Sequence, residues 1–104
     1  CMIYTTVPSI ELAKSISKHL VEINLVACAN IHGPVQSIYS WEGQIENSEE
    51  YTILFKTRSS LFQKSCEKIN ELHPYSSPCI ISLPFENGDA KFLDWITSQT
   101  KLST

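Results

Sequence analysis

The stretch Tyr-Thr-Ile-Leu-Phe-Lys-Thr at residues 51–57 carries the strongest strand signal in the chain. β-Branched and aromatic residues dominate it, and its centre is apolar at consecutive positions. Successive side chains of a strand point to opposite faces of a sheet, so Ile53 and Leu54 face opposite ways. This pattern predicts a central strand that is covered on both faces, one of them by a partner subunit.

Upstream of residues 51–57 the sequence alternates between extended and helical patterns. Residues 2–7 are β-branched and aromatic, and they predict a first strand that ends at Pro8. Ser9 is placed to cap a helix over residues 10–24, in which apolar side chains recur at spacings of three and four. The chain therefore begins with a strand followed by an amphipathic helix.

A long hairpin over residues 35–57 is predicted to contain the central strand. Extended sequence begins at residues 26–31 and is interrupted by a turn or bulge signal at residues 32–34. After it resumes, residues 42–44 form a plausible reversal, and the polar stretch at residues 46–50 separates this reversal from the central strand. The hairpin thus joins the second and third strands.

The part of the chain after residue 57 predicts two helices and one strand. Ser60 and Gln63 form a capping box that opens a helix, and His73 ends it because the residue before a proline avoids the helical region. Residues 79–83 are the fourth strand. Asn87-Gly88-Asp89 provides a turn and the cap of a short last helix, and the polar residues 97–104 are expected to fray.

The resulting order β-α-β-β-α-β-α predicts a single α+β domain over residues 1–104. Two crossover helices on one face of a four-stranded antiparallel sheet make the ferredoxin-like arrangement, here with an extra C-terminal helix. The helices leave the other face of the sheet open. Since contiguous apolar surface usually marks an interface, we expect a homo-oligomer.

Composition and charge exclude several classes of protein. Apolar residues make up 42% of the 104-residue chain, enough to form a core, which excludes intrinsic disorder. The net charge is −3 and the eight basic residues form no block, which argues against a nucleic-acid interface. No apolar run approaches the roughly 20 residues that span a bilayer, and no secretory leader pattern is present. We therefore expect a soluble, cytoplasmic protein with no membrane partner.

The four cysteines show neither a C-x-x-C pair nor the clustering with histidine that is typical of zinc sites. The favoured interpretation is that they are buried, reduced thiols that pack as small apolar side chains. A disulfide pair is the alternative. The residues concerned are Cys1, Cys28, Cys66 and Cys79.

The sequence assembles no catalytic motif, because it lacks G-x-S-x-G, H-E-x-x-H and a glycine-rich phosphate loop. We therefore expect a binding protein and not an enzyme. Two residues have open interpretations. Arg58, the single arginine, is either a rim charge paired with a carboxylate or an anion site, and His73 either caps the helix dipole or binds a ligand.

Taken in order, six segments resemble the CutA divalent-cation tolerance proteins, and together they cover nearly the whole chain. Each motif is weak by itself, but the ordered set is highly specific. The segments are Tyr4–Pro8, Leu25–Asn30, Ser37–Gly43, Lys56–Arg58 with Phe62, Glu71–Tyr75 with Pro78, and Phe92–Ile96.

The resemblance implies a ferredoxin-like subunit and a compact homotrimer in which long hairpins and sheet edges pack between subunits. It also implies an architecture like that of the PII signalling proteins, which bind small ligands in clefts between subunits. Members of the family are associated with tolerance to copper and other divalent metals, and some bind copper. The expected function is therefore participation in the response to metal ions, with copper or another divalent cation as the candidate ligand and no cofactor certain.

At the metal site that the resemblance implies, this sequence departs from the family. The family's cysteine in the first strand aligns with Thr5, and its pair of histidines before Pro-Tyr aligns with Leu72 and His73. Only His73 remains as a candidate metal ligand. A single imidazole cannot hold copper tightly, since such sites need several nitrogen or sulfur ligands in a fixed geometry.

A ligand cleft is expected where polar and aromatic groups flank the strand ends. Its expected members are Trp41, Glu42, Lys56, Arg58 and Tyr75, next to His73 as the metal candidate. The alternative function is a PII-like sensor that binds a small anionic metabolite between subunits through Arg58.

Overall fold

The computed structural model describes residues 1–101 and contains the predicted elements in the predicted order. A short 3-10 turn at Ser59–Leu61 precedes the second helix. The strands and helices are β1 Met2–Val7, α1 Ile10–Glu22, β2 Cys28–Trp41, β3 Gln44–Lys56, α2 Phe62–Leu72, β4 Ile80–Leu83 and α3 Ala90–Gln99.

The four strands form one antiparallel sheet in the order β2-β3-β1-β4. β3 lies between β2 and β1, so the predicted central strand is central. Helices α1 and α2 contact each other, and α1 packs on β2 and β3. Two crossover helices on one face of this sheet confirm the ferredoxin-like fold.

The core lies between the helices and the face of the sheet that carries the odd-numbered residues of β1 and β3. Ile3 pairs with Phe55 and Thr5 with Ile53 across these strands, and all four side chains are fully buried. Ala13, Ile16 and Leu20 of α1 and Ile69 of α2 complete this cluster. The apolar spacing of both helices therefore faces the sheet, as predicted.

The opposite face of the sheet carries Tyr4 paired with Leu54, and no helix within residues 1–101 covers it. Both side chains are half-buried by their neighbours alone. On the adjoining strand β4, Ile81 and Leu83 are 50% and 43% exposed. Within one chain, then, the helices fully bury Ile53 and Phe55 on one side of β3, whereas Leu54 on the other side is only half-buried. That a partner subunit covers this second side stays a prediction.

The β2–β3 hairpin is longer than predicted. β2 continues across residues 32–34 through a bulge between His32 and Val35, and β3 already begins at Gln44. Polar residues 46–50 therefore belong to the strand. They occur there because most side chains of this part of the hairpin face solvent on both sides. Glu42 and Gly43 form a two-residue turn, and their positive φ angles of 49° and 78° are those that such tight hairpins favour.

Two of the three predicted helix caps are confirmed. The Ser9 side chain accepts a hydrogen bond from the Leu12 N–H at 3.2 Å, and Asp89 accepts one from the Phe92 N–H at 3.2 Å. The predicted capping box at Ser60 is wrong. Ser60 lies inside the 3-10 turn, so Leu61 precedes α2 and no side chain caps that helix.

The prediction of a fraying tail is wrong for residues 97–101. Helix α3 continues to Gln99, and Thr100 is 1% exposed. The Lys101 N–H donates to the Asn24 carbonyl at 3.0 Å, which ties the end of the described chain to the loop after α1. The last part of the predicted tail, residues 102–104, lies outside the described residues.

The four cysteines are free thiols, as the favoured interpretation predicted. Their burial differs from one to the next: Cys1 is buried, Cys28 and Cys66 are partly buried, and Cys79 is exposed. The prediction of a buried thiol is thus wrong for Cys79, which lies in the loop just before β4.

Within residues 1–101, none of the helices has the length and apolar character needed to cross a membrane.

Candidate functional site

A cavity of about 520 Å³ opens between the outer part of the β2–β3 hairpin and the loop that joins α2 to β4. Three aromatic side chains line it, those of Tyr39, Trp41 and Tyr75. Hydroxyl and thiol groups of Thr6, Ser76, Ser77 and Cys79 also line it. Its remaining lining residue is Glu50, the only one with a charged side chain.

The strand register explains why the hairpin residues meet here. Alternate residues of a strand share one face, so Glu50 lies on the same side of β3 as Thr52 and Leu54. Thr52 pairs with Thr6 of β1, and Tyr39 and Trp41 pair with the same-side positions Glu46 and Gln44. The cavity therefore lies on the face of the sheet that the helices leave open.

His73 fixes the loop side of the cavity. It ends α2 with extended backbone angles, φ −86° and ψ 135°, and its side chain is 7% exposed. Its Nε2 donates to the Thr6 carbonyl at 2.8 Å, and its Nδ1 accepts from the Tyr75 N–H at 3.2 Å. These partners require the neutral tautomer with the proton on Nε2. The imidazole thus joins the loop to β1.

Tyr75 connects this loop to the hairpin. Its ring lies with its centroid 4.7 Å from that of His73, and its hydroxyl donates to Glu50 Oε2 at 2.9 Å. Burial, together with the hydrogen bond to the Glu50 carboxylate, raises the pKa of Tyr75 to about 12. The hydroxyl therefore stays protonated, and remains a donor, throughout the neutral range.

Glu50 holds a carboxylate in a mostly dehydrated position. Its side chain is 6% exposed, although it comes from a strand whose neighbouring glutamates are exposed. Among the residues that line the cavity there is no lysine, arginine or histidine to balance it. The site is therefore a partly apolar pocket with negative charge at its wall.

Of the predicted cleft residues, Trp41 and Tyr75 line the cavity, and His73 supports it from behind. Glu42 lies in the exposed turn at the tip of the hairpin and does not line it. Lys56 is the last residue of β3, at the end far from the hairpin tip, and Arg58 lies just beyond it. Gln44 and Lys56 are the ends of this 13-residue strand, which puts them ~40 Å apart along it. One chain therefore does not bring the predicted set together.

Lys56 and Arg58 have partners of their own at that distant end. The Lys56 ammonium donates to the side-chain oxygen of Asn30. Arg58 donates to the Thr97 carbonyl at 2.6 Å, the Thr100 carbonyl at 2.7 Å and the Thr100 hydroxyl at 2.8 Å. These partners are the end of α3, neither the surface carboxylate nor the free anion that the sequence left open.

Glu50 is the cavity residue that sequence reasoning missed. It lies in a polar stretch with Glu46 and Glu49, and nothing in their order distinguishes the one that is buried. The strand alternation that places Tyr39 and Trp41 on one face could have placed Glu50 there too. The alternation was not applied to Glu50, because residues 46–50 were expected to precede the strand and not to belong to it.

The residues of one chain do not fit a copper site. No group of three or more His, Cys, Asp and Glu side chains that could hold a metal ion occurs within residues 1–101. Both ring nitrogens of His73 already have backbone partners, so a metal ion there would have to break one of those hydrogen bonds. Thr5 is buried under the helices, on the face away from the cavity.

Comparison with known proteins gives one consistent result over the whole domain. The model of the CutA1 divalent ion tolerance protein family matches residues 1–99. The divalent-cation tolerance protein CutA of Archaeoglobus fulgidus is 45% identical over 94 residues, which cover 90% of this chain and 91% of that protein. The protein of the same name from Thermus thermophilus is 41% identical over 99 residues, with coverage of 95% and 96%.

Solved structures agree in fold. The periplasmic divalent cation tolerance protein CutA from Archaeoglobus fulgidus superimposes with a TM-score of 0.94 at 42% identity, covering 96% of this chain and 97% of that one. CutA1 from Oryza sativa superimposes with a TM-score of 0.95 at 34% identity, covering 98% and 94%. The hairpin, sheet and helices described above therefore recur in these proteins.

The relatives correct the prediction of a cytoplasmic location. The CutA protein of Arabidopsis thaliana, 36% identical over 96% of this chain and 55% of that protein, is named chloroplastic. The Archaeoglobus fulgidus structure is described as periplasmic. Relatives of similar sequence and fold are thus named for other compartments, and the prediction of a cytoplasmic location is wrong.

Proposed function

The chain belongs to the CutA1 divalent ion tolerance protein family, and from that membership we propose that it takes part in the response to divalent metal ions. We further propose that it acts by binding and not by catalysis. The observation that carries the proposal is the match over residues 1–99, together with close superposition on two solved CutA structures.

The expected assembly is a homotrimer. Three features of the single chain support it: the open face at Tyr4 and Leu54, the exposed Ile81 and Leu83 of β4, and the exposed Ile38 and Ile45 near the hairpin tip. Tyr4, Leu54, Ile81 and Leu83 share the open face, and Ile38 and Ile45 lie on the opposite face of the hairpin; exposed apolar surface of this kind favours association. Light scattering at micromolar concentration is expected to give about 35 kDa, three times the 11.8 kDa of one chain. A mass of one chain would contradict the proposed assembly.

Metal tolerance is tested in cells that lack the gene for this chain. Such cells are expected to grow less well than their parent when copper is raised, and the wild-type gene is expected to restore growth. Equal growth of deletion and parent strains over a range of copper concentrations would contradict the proposal. Because residues 1–101 of one chain assemble no group of three such ligands, we propose that any copper held by the protein is bound by groups from more than one copy.

The alternative of a sensor for small anions is less well supported. Arg58, the group that would recognise a carboxylate, is held by the end of α3. The cavity between the hairpin and the α2–β4 loop is lined by a carboxylate and by no basic side chain. Both observations oppose an anion site within one chain.

A further inference from the structure

We propose that Asn87 is a modification site at which the side-chain amide deamidates spontaneously to aspartate and isoaspartate. The site lies in the loop between β4 and α3, outside the hairpin. The inference goes beyond the metal function proposed above and does not rest on it, because it depends only on the chemistry of one dipeptide and on the structure around it.

The loop lies at the end of the sheet that is far from the hairpin tip. Leu83, the last residue of β4, pairs with Met2, and Met2 pairs with Lys56 at the end of β3. Asn87 and Gly88 follow in the irregular segment before α3, and both are exposed. The dipeptide is therefore separate from the hairpin and from the side chains that form the open face of the sheet.

The reaction joins the side chain of Asn87 to the backbone of the next residue. The Gly88 nitrogen attacks Cγ of Asn87 and forms a cyclic succinimide, the bond from Cγ to Nδ2 breaks, and ammonia leaves with the proton of the attacking amide. Water then opens the ring, adding hydroxide to a carbonyl carbon and a proton to the nitrogen. Opening at Cγ gives aspartate, and opening at the backbone carbonyl gives isoaspartate.

Asn87 is the one asparagine of the sequence that precedes a glycine; the others precede leucine, isoleucine, serine or glutamate. Glycine has no Cβ to shield its nitrogen, so the ring closes there with the least hindrance. Within residues 1–101, neither the Asn87 amide nor the Gly88 N–H makes a hydrogen bond that would hold it in place. The two reacting groups are therefore adjacent, exposed and unrestrained by partners.

Asn70 shows what protects an asparagine that is equally exposed. It lies in α2, and its Nδ2 donates to the Cys66 carbonyl at 3.0 Å. The side chain of Glu71 crowds the nitrogen that would have to attack, and the helical backbone fixes the direction of that nitrogen. Asn70 is therefore an internal control for Asn87 in the same molecule.

Deamidation bears on the cap of α3. Asp89 accepts a hydrogen bond from the Phe92 N–H at 3.2 Å, and a Cβ placed on Gly88 would lie only 2.9 Å from Leu93 Cδ2. Isoaspartate inserts a methylene into the main chain immediately before Gly88, which shifts Gly88 and Asp89 relative to the helix. Aspartate leaves the main chain unchanged, and its charge near a helix N-terminus is favourable. We therefore expect only the isoaspartyl form to loosen the start of α3.

Incubation of the full-length protein in its native assembly, at neutral pH and body temperature, tests the site. Peptide mapping by mass spectrometry follows each asparagine over several weeks, and methylation by a protein isoaspartyl methyltransferase measures isoaspartate. We expect Asn87 to deamidate at least about tenfold faster than Asn70, since glycine leaves the attacking nitrogen unshielded. Equal rates at the two residues, or an unchanged Asn87, would overturn the proposal.

Substitutions then locate the modified residue. Asn87→Gln keeps an amide at this position, but its longer side chain would have to close a larger ring, so methyl acceptance by the incubated protein is expected to fall to background. Asn70→Gln is the matched control, an exposed position at which the same change should leave methyl acceptance at the wild-type level. Wild-type methyl acceptance in Asn87→Gln would overturn the assignment.

Hydrogen exchange measures the effect on α3. In incubated wild-type protein, the isoaspartyl molecules are expected to exchange the Phe92 and Leu93 amides about threefold or more faster than fresh protein, because the cap is displaced. Asn87→Asp, which carries the aspartyl product from the start, should match fresh protein within about twofold. Exchange in α1 should not change. Equal exchange in isoaspartyl and fresh protein would overturn the expected loosening of α3.

Discussion

At the scale of single residues, a hydrogen-bonded network of three side chains joins the loop after α2 to two strands. His73 bonds to the β1 backbone and to Tyr75, and Tyr75 bonds to Glu50 on β3. Of these three hydrogen bonds, the ones from His73 to Thr6 and from Tyr75 to Glu50 join residues that are distant in sequence. The one between His73 and Tyr75 is local. The shape of the cavity therefore depends on a few buried hydrogen bonds.

His73→Ala is expected to lower the free energy of unfolding by about 1–3 kcal/mol, because the buried Thr6 carbonyl and the partly buried Tyr75 N–H lose their partner. Copper affinity measured by calorimetry is expected to stay unchanged, since both ring nitrogens are already bonded. His32→Ala is the control, because this imidazole is exposed, and its effect on stability should stay within about 0.5 kcal/mol. Loss of copper binding in His73→Ala alone would instead place the metal at this residue.

Tyr75 is expected to titrate near its pKa of about 12, because burial and the Glu50 carboxylate oppose its ionisation. Since its folded-state pKa lies above the ordinary value of 10, its contribution to stability is full below pH 10 and is lost as the pH rises toward 12. Absorbance of tyrosinate measured against pH checks this. The late phase should be missing in Tyr75→Phe, and its persistence there would contradict the assignment.

At the scale of elements, helix α3 is attached through Arg58, two residues after the end of β3. Arg58 makes three hydrogen bonds to Thr97 and Thr100, and the fork of the guanidinium is what lets one side chain reach all of these oxygens. The polar residues that suggested a loose tail are therefore the groups that arginine binds. Composition alone predicts fraying here because it does not show which distant donor lies opposite.

Arg58→Lys is expected to release the end of α3, because an ammonium point charge cannot replace the three-point contact. Stability should fall by about 1–2 kcal/mol. Hydrogen exchange should rise in residues 95–101 and remain unchanged in α1. Lys91→Ala, in the same helix and exposed, is the control. Unchanged exchange in α3 of the Arg58→Lys variant would show that packing alone holds the helix.

The sequence predicted elements well where one local signal was sufficient. Ser9 and Asp89 cap their helices through hydrogen bonds to residues three positions away. Residues 51–56 form a strand, as their run of β-branched and aromatic side chains predicts. Ser60 failed because a 3-10 turn and a helix begin with similar residues. Glu50 and the Arg58 contacts were not predictable, since each depends on register or on partners about 25 to 40 residues away.

At the scale of the whole molecule, the fold separates two surfaces with different roles. Helices cover one face of the sheet and form the core there, and the other face carries both the cavity and the apolar residues of β1 and β4. A partner that covers Tyr4 and Ile81 would therefore lie on the same side of the sheet as the cavity. The expected subunit interface and the cavity therefore lie on one face of the sheet.

Ile81→Glu is expected to convert the assembled protein to single chains, because it places a charge on the open face. The folded chain should survive, since Ile81 is 50% exposed and makes no part of the helix-covered core. Light scattering measures the mass, and circular dichroism checks that the fold remains. Val21→Glu, on α1, is the control and should keep the assembled mass. A variant Ile81→Glu that stays assembled would place the interface elsewhere.

The bulge between His32 and Val35 also bears on solubility. The strand order puts β2 at the margin of the sheet, where one side of its 14 residues has no neighbouring strand in the chain. A straight, unpaired edge strand of that length can pair with extended segments of other chains and so promote fibril formation. The bulge interrupts this edge and leaves two shorter runs that do not lie in one line. We therefore expect this two-residue irregularity to hinder the addition of further strands at this edge.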